Sequence, residues 1–244
     1  MAQVEPRLAG PHEPLFQTPD RKDRMDSLPF YPFGLRWRIH TLRSRLFGRS
    51  GYFAKPEQSN RARLVDEIWD TQFPESPPFG SAIRYARPDR WVRFWSLPEG
   101  KRYADTPDEY EEIYRRHEVA LDHLRGGAGT GPLVVIAEDW NWHDLHGGWT
   151  KRHLPAAWPW RIVRTEEGAS AYFWVAEVES ITDLKPLLLA VAEDDGAVTI
   201  TDHSGAWFYH PYDGGGDLIA RSPAERDELA ALHRDWLSDN ELGL

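Results

Sequence analysis

The chain of 244 residues contains no cysteine, two methionines and only five lysines against 24 arginines. Without cysteine it has no disulfide framework, no thiolate nucleophile and no cysteine-ligated zinc or iron–sulfur centre. No apolar run approaches the ~20 residues of a transmembrane helix. The opening residues, MAQVEPRLAGPHEP, lack the apolar core of a secretory signal. We therefore expect no integral membrane segment and a location in the cytoplasm.

The composition predicts a folded protein. Hydrophobic residues make up 41% and aromatic residues 13% of the chain, including 12 tryptophans. This apolar content is too high for a disordered chain, and the length suits one large domain, or one domain with an appendage. The sequence lacks a nucleophile elbow, a zinc-protease helix and a phosphate loop, so no catalytic residue or cofactor is predicted.

Charge divides the chain unevenly. Residues 1–56 contain ten Lys or Arg against five Asp or Glu, which gives them a net charge of +5. The net charge of the whole chain is −10, so residues 57–244 carry −15. We expect a basic, partly flexible N-terminal arm over 1–56 and a single domain over 57–244. Apolar residues at helical spacing within 33–49, between arginines, predict a short basic amphipathic helix. Such a helix contacts an anionic membrane or nucleic acid, or docks on its own acidic body; alternatively, Met25 is the true start.

Four helices are predicted in the body from caps and apolar periodicity. They span about Ser59–Phe73, Thr106–Arg125, Ser180–Ala192 and Ser222–Leu237. The second is the clearest, because Thr106 and Glu109 form a capping box with proline at the first helical position. On its exposed face, Glu111–Arg115 and Glu112–Arg116 have the spacing of ion pairs.

The same segments alternate with predicted strands, at Arg90–Leu97, Pro132–Ala137, Trp160–Arg164, Ala171–Glu177, Val198–Asp202, Ala206–Tyr212 and Asp217–Ala220. The run PLVVIA at 132–137 is apolar throughout, which indicates a central strand buried on both faces. Residues 138–157 read as a long loop. The fold class is therefore α+β: one mixed or mostly antiparallel sheet covered by about four helices.

The loop at 139–160 concentrates histidine and tryptophan. His143, His146 and His153 lie near two aspartates, but their spacing matches no metal signature, so no metal site is predicted. Five tryptophans in this segment could stack on a sugar or a base, or could instead fill the core or a partner interface.

Two turn segments carry further candidates. At Pro211–Leu218, Asp213 and Asp217 flank three glycines, which suits a cation or a basic partner, or simply the backbone needs of a tight hairpin. At Leu97–Asp105, Lys101 and Arg102 lie between a strand and a helix, a place where anions bind or where a turn is merely solvated.

The candidate binding residues lie in the 139–160 loop, in the two turn segments or in the family motifs described next. They are Arg93, Lys101, Arg102, Trp140, Trp142, His143, Trp149, His210, Tyr212, Asp213 and Asp217.

Residues 90–124, beginning RWVRFWSLPEGKRY, and residues 207–244, containing HPYDGGGD and WLS, resemble the bacterial domain-of-unknown-function 3885 family. The likeness extends over about residues 60–244 and departs at Trp95, where the family is expected to have histidine. It implies a small cytoplasmic bacterial α+β protein and brings no established activity.

Three functions follow as hypotheses. The acidic body without a catalytic motif favours a protein-binding module for a basic partner, loosely similar to the immunity proteins of bacterial toxin systems. An enzyme or small-ligand binder would instead bring His143, Asp213 and Asp217 into one pocket. The third is membrane or nucleic-acid association through the arginine-rich arm; an acidic body makes nucleic acid the less favoured partner.

Overall fold

The computed structural model describes residues 58–126, 131–140, 148–164 and 170–237, with the side chain of Trp140 excepted. In these residues one seven-stranded sheet carries helices on both faces, which confirms the α+β class. The predicted amphipathic helix within 33–49 lies outside the described residues. The predicted arm and domain boundary therefore stay predictions.

Every strand pairing in the sheet is antiparallel, and the strand order is β1-β7-β6-β5-β2-β4-β3. The predicted apolar strand is confirmed as central, since β2 pairs with both β4 and β5 and its first five residues are buried. The strands are β1 Trp91–Trp95, β2 Leu133–Trp140, β3 Trp158–Arg164, β4 Ser170–Val178, β5 Ala197–Asp202, β6 Phe208–Tyr212 and β7 Gly215–Ile219.

Six α-helices occur within the described ranges, four of them at the predicted places. The other two, α2 and α4, are short and have neither the length nor the caps that sequence patterns detect. The helices are α1 Asn60–Gln72, α2 Ile83–Ala86, α3 Pro107–Arg125, α4 Gly148–His153, α5 Lys185–Ala192 and α6 Pro223–Leu232.

The prediction of a loop over 138–157 was wrong at its start and in its interior. Strand β2 continues to Trp140, because Glu138 and Asp139 stay paired with β4. Helix α4 then occupies Gly148–His153 and buries Trp149 and Thr150. Packing of one tryptophan onto the sheet, rather than local propensity, holds this short helix in place.

The predicted capping box forms at the start of helix α3. Thr106 Oγ1 accepts from the Glu109 backbone N–H at 3.3 Å, and the Glu109 carboxylate accepts from the Thr106 N–H at 3.1 Å, as predicted. The predicted Glu112–Arg116 pair forms at 2.6 Å. The predicted Glu111–Arg115 pair was wrong: Glu111 binds Lys185 at 2.7 Å, because α5 packs beside α3 and offers a nearer cation.

The two faces of the sheet bury different clusters. One face packs Leu121, Leu188 and Trp207 with helices α3, α5 and α6, and the other packs Trp69 and Phe208 with helix α1. Strand residues alternate between these faces. Leu218 of β7 therefore joins the first face, while its neighbour Asp217 points toward the second, on which α2 also lies.

The buried core includes Trp69, Trp174, Trp207 and Trp236, whereas Trp91 and Trp95 are half-buried at the edge strand β1. Leu232, the last residue of α6, is 60% exposed.

Candidate functional site

The two segments that carry the family resemblance are brought together at one end of the sheet. Strands β1, β7 and β6 lie side by side, and their register places Arg93 opposite Asp217 and Asp217 opposite His210. Residues directly opposite each other on paired strands share a face. All three side chains are buried, which sets a row of polar groups inside an otherwise apolar layer.

Asp217 is the centre of this row. Its Oδ1 accepts from Arg93 Nε at 2.9 Å and from the Trp91 indole N–H at 2.9 Å, and its Oδ2 accepts from Arg93 Nη2 at 3.2 Å. Arg84, from helix α2, brings a second guanidinium to 3.7 Å from Oδ2. Strand β7 begins at Gly215, two residues earlier than predicted, so Asp217 lies mid-strand rather than beside the turn.

Burial and charge decide the protonation of these groups. Burial alone would lower the pKa of Arg93, but the hydrogen bonds and charge of Asp217 outweigh it, so the pKa is raised. Burial lowers the pKa of His210. Its Nδ1 lies 2.8 Å from the Val198 carbonyl oxygen, which can only accept, so Nδ1 carries the proton and Nε2 is an acceptor.

Tyr212 extends the row toward solvent. The Arg93 guanidinium carbon lies 5.3 Å from the centre of its ring, a cation–π contact. Burial raises the pKa of Tyr212, so the phenol stays protonated at neutral pH. Its buried hydroxyl has no hydrogen-bond partner among the described residues. We call Arg84, Trp91, Arg93, His210, Tyr212 and Asp217 together the Asp217 cluster.

Asp213 forms a separate set of hydrogen bonds in the β6–β7 hairpin. Its Oδ2 accepts from Arg102 Nε and from the Tyr103 hydroxyl, both at 2.6 Å. Burial raises the pKa of Tyr103 to about 12, helped by that hydrogen bond. The Ser96 N–H also donates to the Gly214 carbonyl at 3.0 Å. These bonds tie the turn after β1 to the hairpin, so Asp213 and Asp217 serve different arginines.

The same turn borders an open groove with a volume of about 630 Å³. It lies against the start of α3 and combines apolar, acidic and basic side chains. Its lining residues, which we call the acidic groove, are Leu97, Pro98, Glu99, Lys101, Asp108, Glu109 and Glu112.

Lys101 crosses this groove. It forms ion pairs with Glu109 at 2.5 Å and with Asp105 at 2.9 Å. The Lys101 hydrogen bond is the main reason why the pKa of Glu109 falls to about 2. Arg115 does the same for Glu112, whose pKa is also lowered to about 2. Both carboxylates therefore remain charged at any physiological pH.

The tryptophans predicted as a group within 139–160 do not share one environment in the described structure. Trp149, Trp158 and Trp160 are buried, so these three rings pack inside the protein rather than forming an open stacking surface. The side chain of Trp140, together with Trp142, His143 and His146, lies outside what the structure describes. Convergence of His143 with Asp213 and Asp217 therefore stays a prediction.

Two contributors to these sites escaped the sequence analysis. Arg84 reaches Asp217 only because α2 lies over β7, and no local pattern distinguishes it from Arg87 nearby. Glu99 stands at the rim of the acidic groove in a left-handed backbone conformation, with φ of 57°. Glu99 lies in the Leu97–Asp105 segment, where the sequence pointed only to Lys101 and Arg102.

The described residues contain no group of three or more His, Asp and Glu side chains suited to a metal ion. They also contain no helix with the length and hydropathy needed to cross a bilayer.

Comparison with known proteins gives one match. Neither a curated protein nor a solved structure matches the chain. A family model described as a domain of unknown function, DUF3885, matches residues 79–241. The match spans β1, the β6–β7 hairpin and every residue assigned above to the Asp217 cluster and the acidic groove. The resemblance carried by the RWVRF and HPYDGG segments is thereby confirmed, and the chain belongs to the DUF3885 family.

Proposed function

We propose that this protein is a non-catalytic protein-binding module that receives a basic partner at the acidic groove. The observation that carries the proposal is the groove itself, which places four carboxylates and one lysine beside exposed Pro98. Charged clefts of this kind steer a partner of opposite sign, and their apolar parts supply contact area once it has docked.

The carboxylates of the groove are not equally available. Glu109 is engaged by Lys101 and by the α3 cap, and Glu112 is engaged by Arg115 and Arg116. Glu99 and Asp108 are exposed and form no ion pair with any residue that the structure describes. These two side chains are therefore the groups left to meet a cationic side chain of the partner.

Glu99 adopts a left-handed backbone conformation, which costs a residue with a Cβ roughly 1–2 kcal/mol relative to the right-handed one. Glu75 and Asp194 adopt the same conformation and do not line the groove, so this strain does not by itself assign a function to the Glu99 carboxylate.

Acidic residues continue beyond the groove along the end of α5. The Tyr110 hydroxyl donates to Glu193 at 2.6 Å, which connects α3 to the exposed acidic turn at 193–195. The negative field around the groove is therefore broader than its lining. A broad field raises association rates with a basic protein and makes them sensitive to salt.

The test begins with affinity capture on the full chain in its native host, followed by binding measurements between the two purified proteins. The double reversal Glu99→Lys with Asp108→Lys should weaken binding at least tenfold, about 1.4 kcal/mol. Raising the salt concentration should weaken binding of the unmodified protein and have less effect on the variant.

The matched control is Glu75→Lys with Glu228→Lys. Glu75 is exposed and left-handed with φ of 61°, and Glu228 is an exposed helical residue like Asp108, so the control repeats both backbone settings away from the groove. A basic partner that binds both variants equally well contradicts a docking site at this groove. Substrate turnover lost in the groove variant would contradict the non-catalytic assignment.

A more specific role can be proposed from the acidic groove and the family resemblance. We propose an immunity-like role in a bacterial cytoplasm, in which the basic partner is a toxin domain held inactive. Support comes from the acidic groove and the bacterial family resemblance. Co-expression with a captured partner that is toxic alone should restore growth, and the groove reversal should abolish that protection. Cell fractionation tests the location separately.

A further inference from the structure

The Asp217 cluster has more positive than negative charge, although it lies in an acidic protein. Arg84 and Arg93 both direct guanidinium groups at a single carboxylate, that of Asp217. The third member of the row, His210, is neutral because burial lowers its pKa. One guanidinium charge is therefore left without a carboxylate inside the cluster.

Of the two guanidinium groups, that of Arg84 has a hydrogen-bond donor without an acceptor among the described residues. Arg93 donates two hydrogen bonds to Asp217, whereas the nearest approach of Arg84 is 3.7 Å, beyond hydrogen-bond distance. Its Nη2 donates to the Tyr85 hydroxyl at 2.9 Å, and its Nε is buried with no partner in the described part of the chain. A buried N–H donor without a partner costs stability, so a ligand that accepts from it is favoured.

Tyr212 supplies a second unused donor in the same cluster. Its hydroxyl is buried and has no hydrogen-bond partner among the described residues, and because it stays protonated it can donate a hydrogen bond to an anion. Its ring lies under Arg93, and its pKa responds to the charges of both Arg84 and Arg93, which places the phenol in their field.

The cluster also has an opening to solvent. The Arg84 side chain is 22% exposed, and Tyr85, whose ring lies 4.7 Å from the Arg84 guanidinium, is 72% exposed. A ligand can therefore reach Arg84 without unfolding the strands beneath it, which hold Asp217 at 2% side-chain exposure.

We propose that the Asp217 cluster is a binding site for a small oxyanion, held by Arg84 and by the hydroxyl of Tyr212, whose ring lies 5.3 Å from the Arg93 guanidinium carbon. Guanidinium groups bind phosphate and carboxylate oxygens through parallel charge-assisted hydrogen bonds. Asp217 has a positioning role, because it fixes Arg93 with two hydrogen bonds and forms none with Arg84. This inference is independent of the acidic groove, which is lined by other residues.

The experiment is a titration of the full chain with inorganic phosphate, and in a second arm with acetate, at constant ionic strength maintained with sodium chloride. Binding is followed by NMR at the Trp91 indole N–H and the arginine Nε–H signals, because Trp91 donates to Asp217 directly. We expect saturable shifts in the millimolar range. The stronger arm distinguishes a phosphate-bearing ligand from a carboxylate-bearing one.

Arg84→Met should weaken the affinity about tenfold, since it removes a charge-assisted contact. Tyr212→Phe, which deletes one oxygen from a ring that stays packed, should weaken it by a smaller factor and remains informative if Arg84→Met fails to fold. The matched control is Arg87→Met, which removes the same charge one helical turn away. Equal weakening by Arg87→Met, or no saturable shift with either anion, would overturn the proposal.

Discussion

Asp217→Asn tests the central claim about the strand cluster. The substitution keeps the size of the side chain and removes its charge. In the folded protein Asp217 has 2% side-chain exposure and neutralises Arg93, whose own side chain has 8%. An amide cannot replace both carboxylate oxygens as acceptors, so Arg93 would be left buried beside a neutral group.

The expected loss follows from burial. Removal of one partner from a buried ion pair leaves an uncompensated charge and costs about 3–5 kcal/mol. The chain offers a close control: Asp66 also accepts an indole N–H, from Trp160 at 3.0 Å, and two hydrogen bonds from Arg161. Its side chain is 40% exposed, however, so Asp66→Asn should cost less than about 1 kcal/mol.

The assay is urea unfolding of the full chain, followed by far-UV circular dichroism, with the free energy extrapolated to water. Arg93→Met should partly rescue Asp217→Asn, because it removes the unpaired charge. The double variant should therefore be less destabilised than the sum of the two single losses, by about 1–3 kcal/mol.

Two results would refute this reasoning. Equal destabilisation by Asp217→Asn and Asp66→Asn would mean that burial does not set the strength of the ion pair. Strict additivity of the Arg93 and Asp217 substitutions would mean that the two side chains do not stabilise each other, despite a separation of 2.9 Å.

The remaining predictions concern the core. Burial lowers the pKa of His117 to about 4, so the unfolded chain binds an extra proton between about pH 6.5 and 4. Its contribution should be intact above pH 6.5 and fall by about 3 kcal/mol toward pH 4; an unchanged pH slope of the urea midpoint in His117→Gln would contradict this. Gly80→Ala, whose Cβ would lie 2.1 Å from His210 Nδ1, should cost about 1–3 kcal/mol, whereas Gly131→Ala, in open space, should be nearly neutral by the same assay.

Helix starts and the central strand followed from sequence because their causes are local. Thr106 and Glu109 are three residues apart, so the cap they form requires no distant partner. The apolar run of β2 likewise indicates burial on both faces wherever the strand lies in the sheet. Helix α4 could not be found in this way, because it depends on the packing of Trp149 against Gly196, which lies beyond it in the chain.

Strand order determines which side chains meet in the Asp217 cluster. Arg93 and Asp217 stand 124 residues apart, and they meet because β1 pairs with β7 in one register. A shift of one residue would turn Asp217 to the opposite face and separate the pair. Charges and turn motifs in the sequence marked both residues as candidates, but could not show that they neutralise each other.

The sequence by itself therefore determined most of the elements, their caps and the acidic character of the body, since each of these depends on neighbouring residues or on totals. Only the tertiary structure decided which carboxylates remain available. It left Glu99 and Asp108 exposed, bound Asp213 to Arg102, and buried Asp217 beneath a surplus arginine. The availability of a charge depends on the three-dimensional arrangement of its neighbours and its distance from water, neither of which appears in a linear pattern.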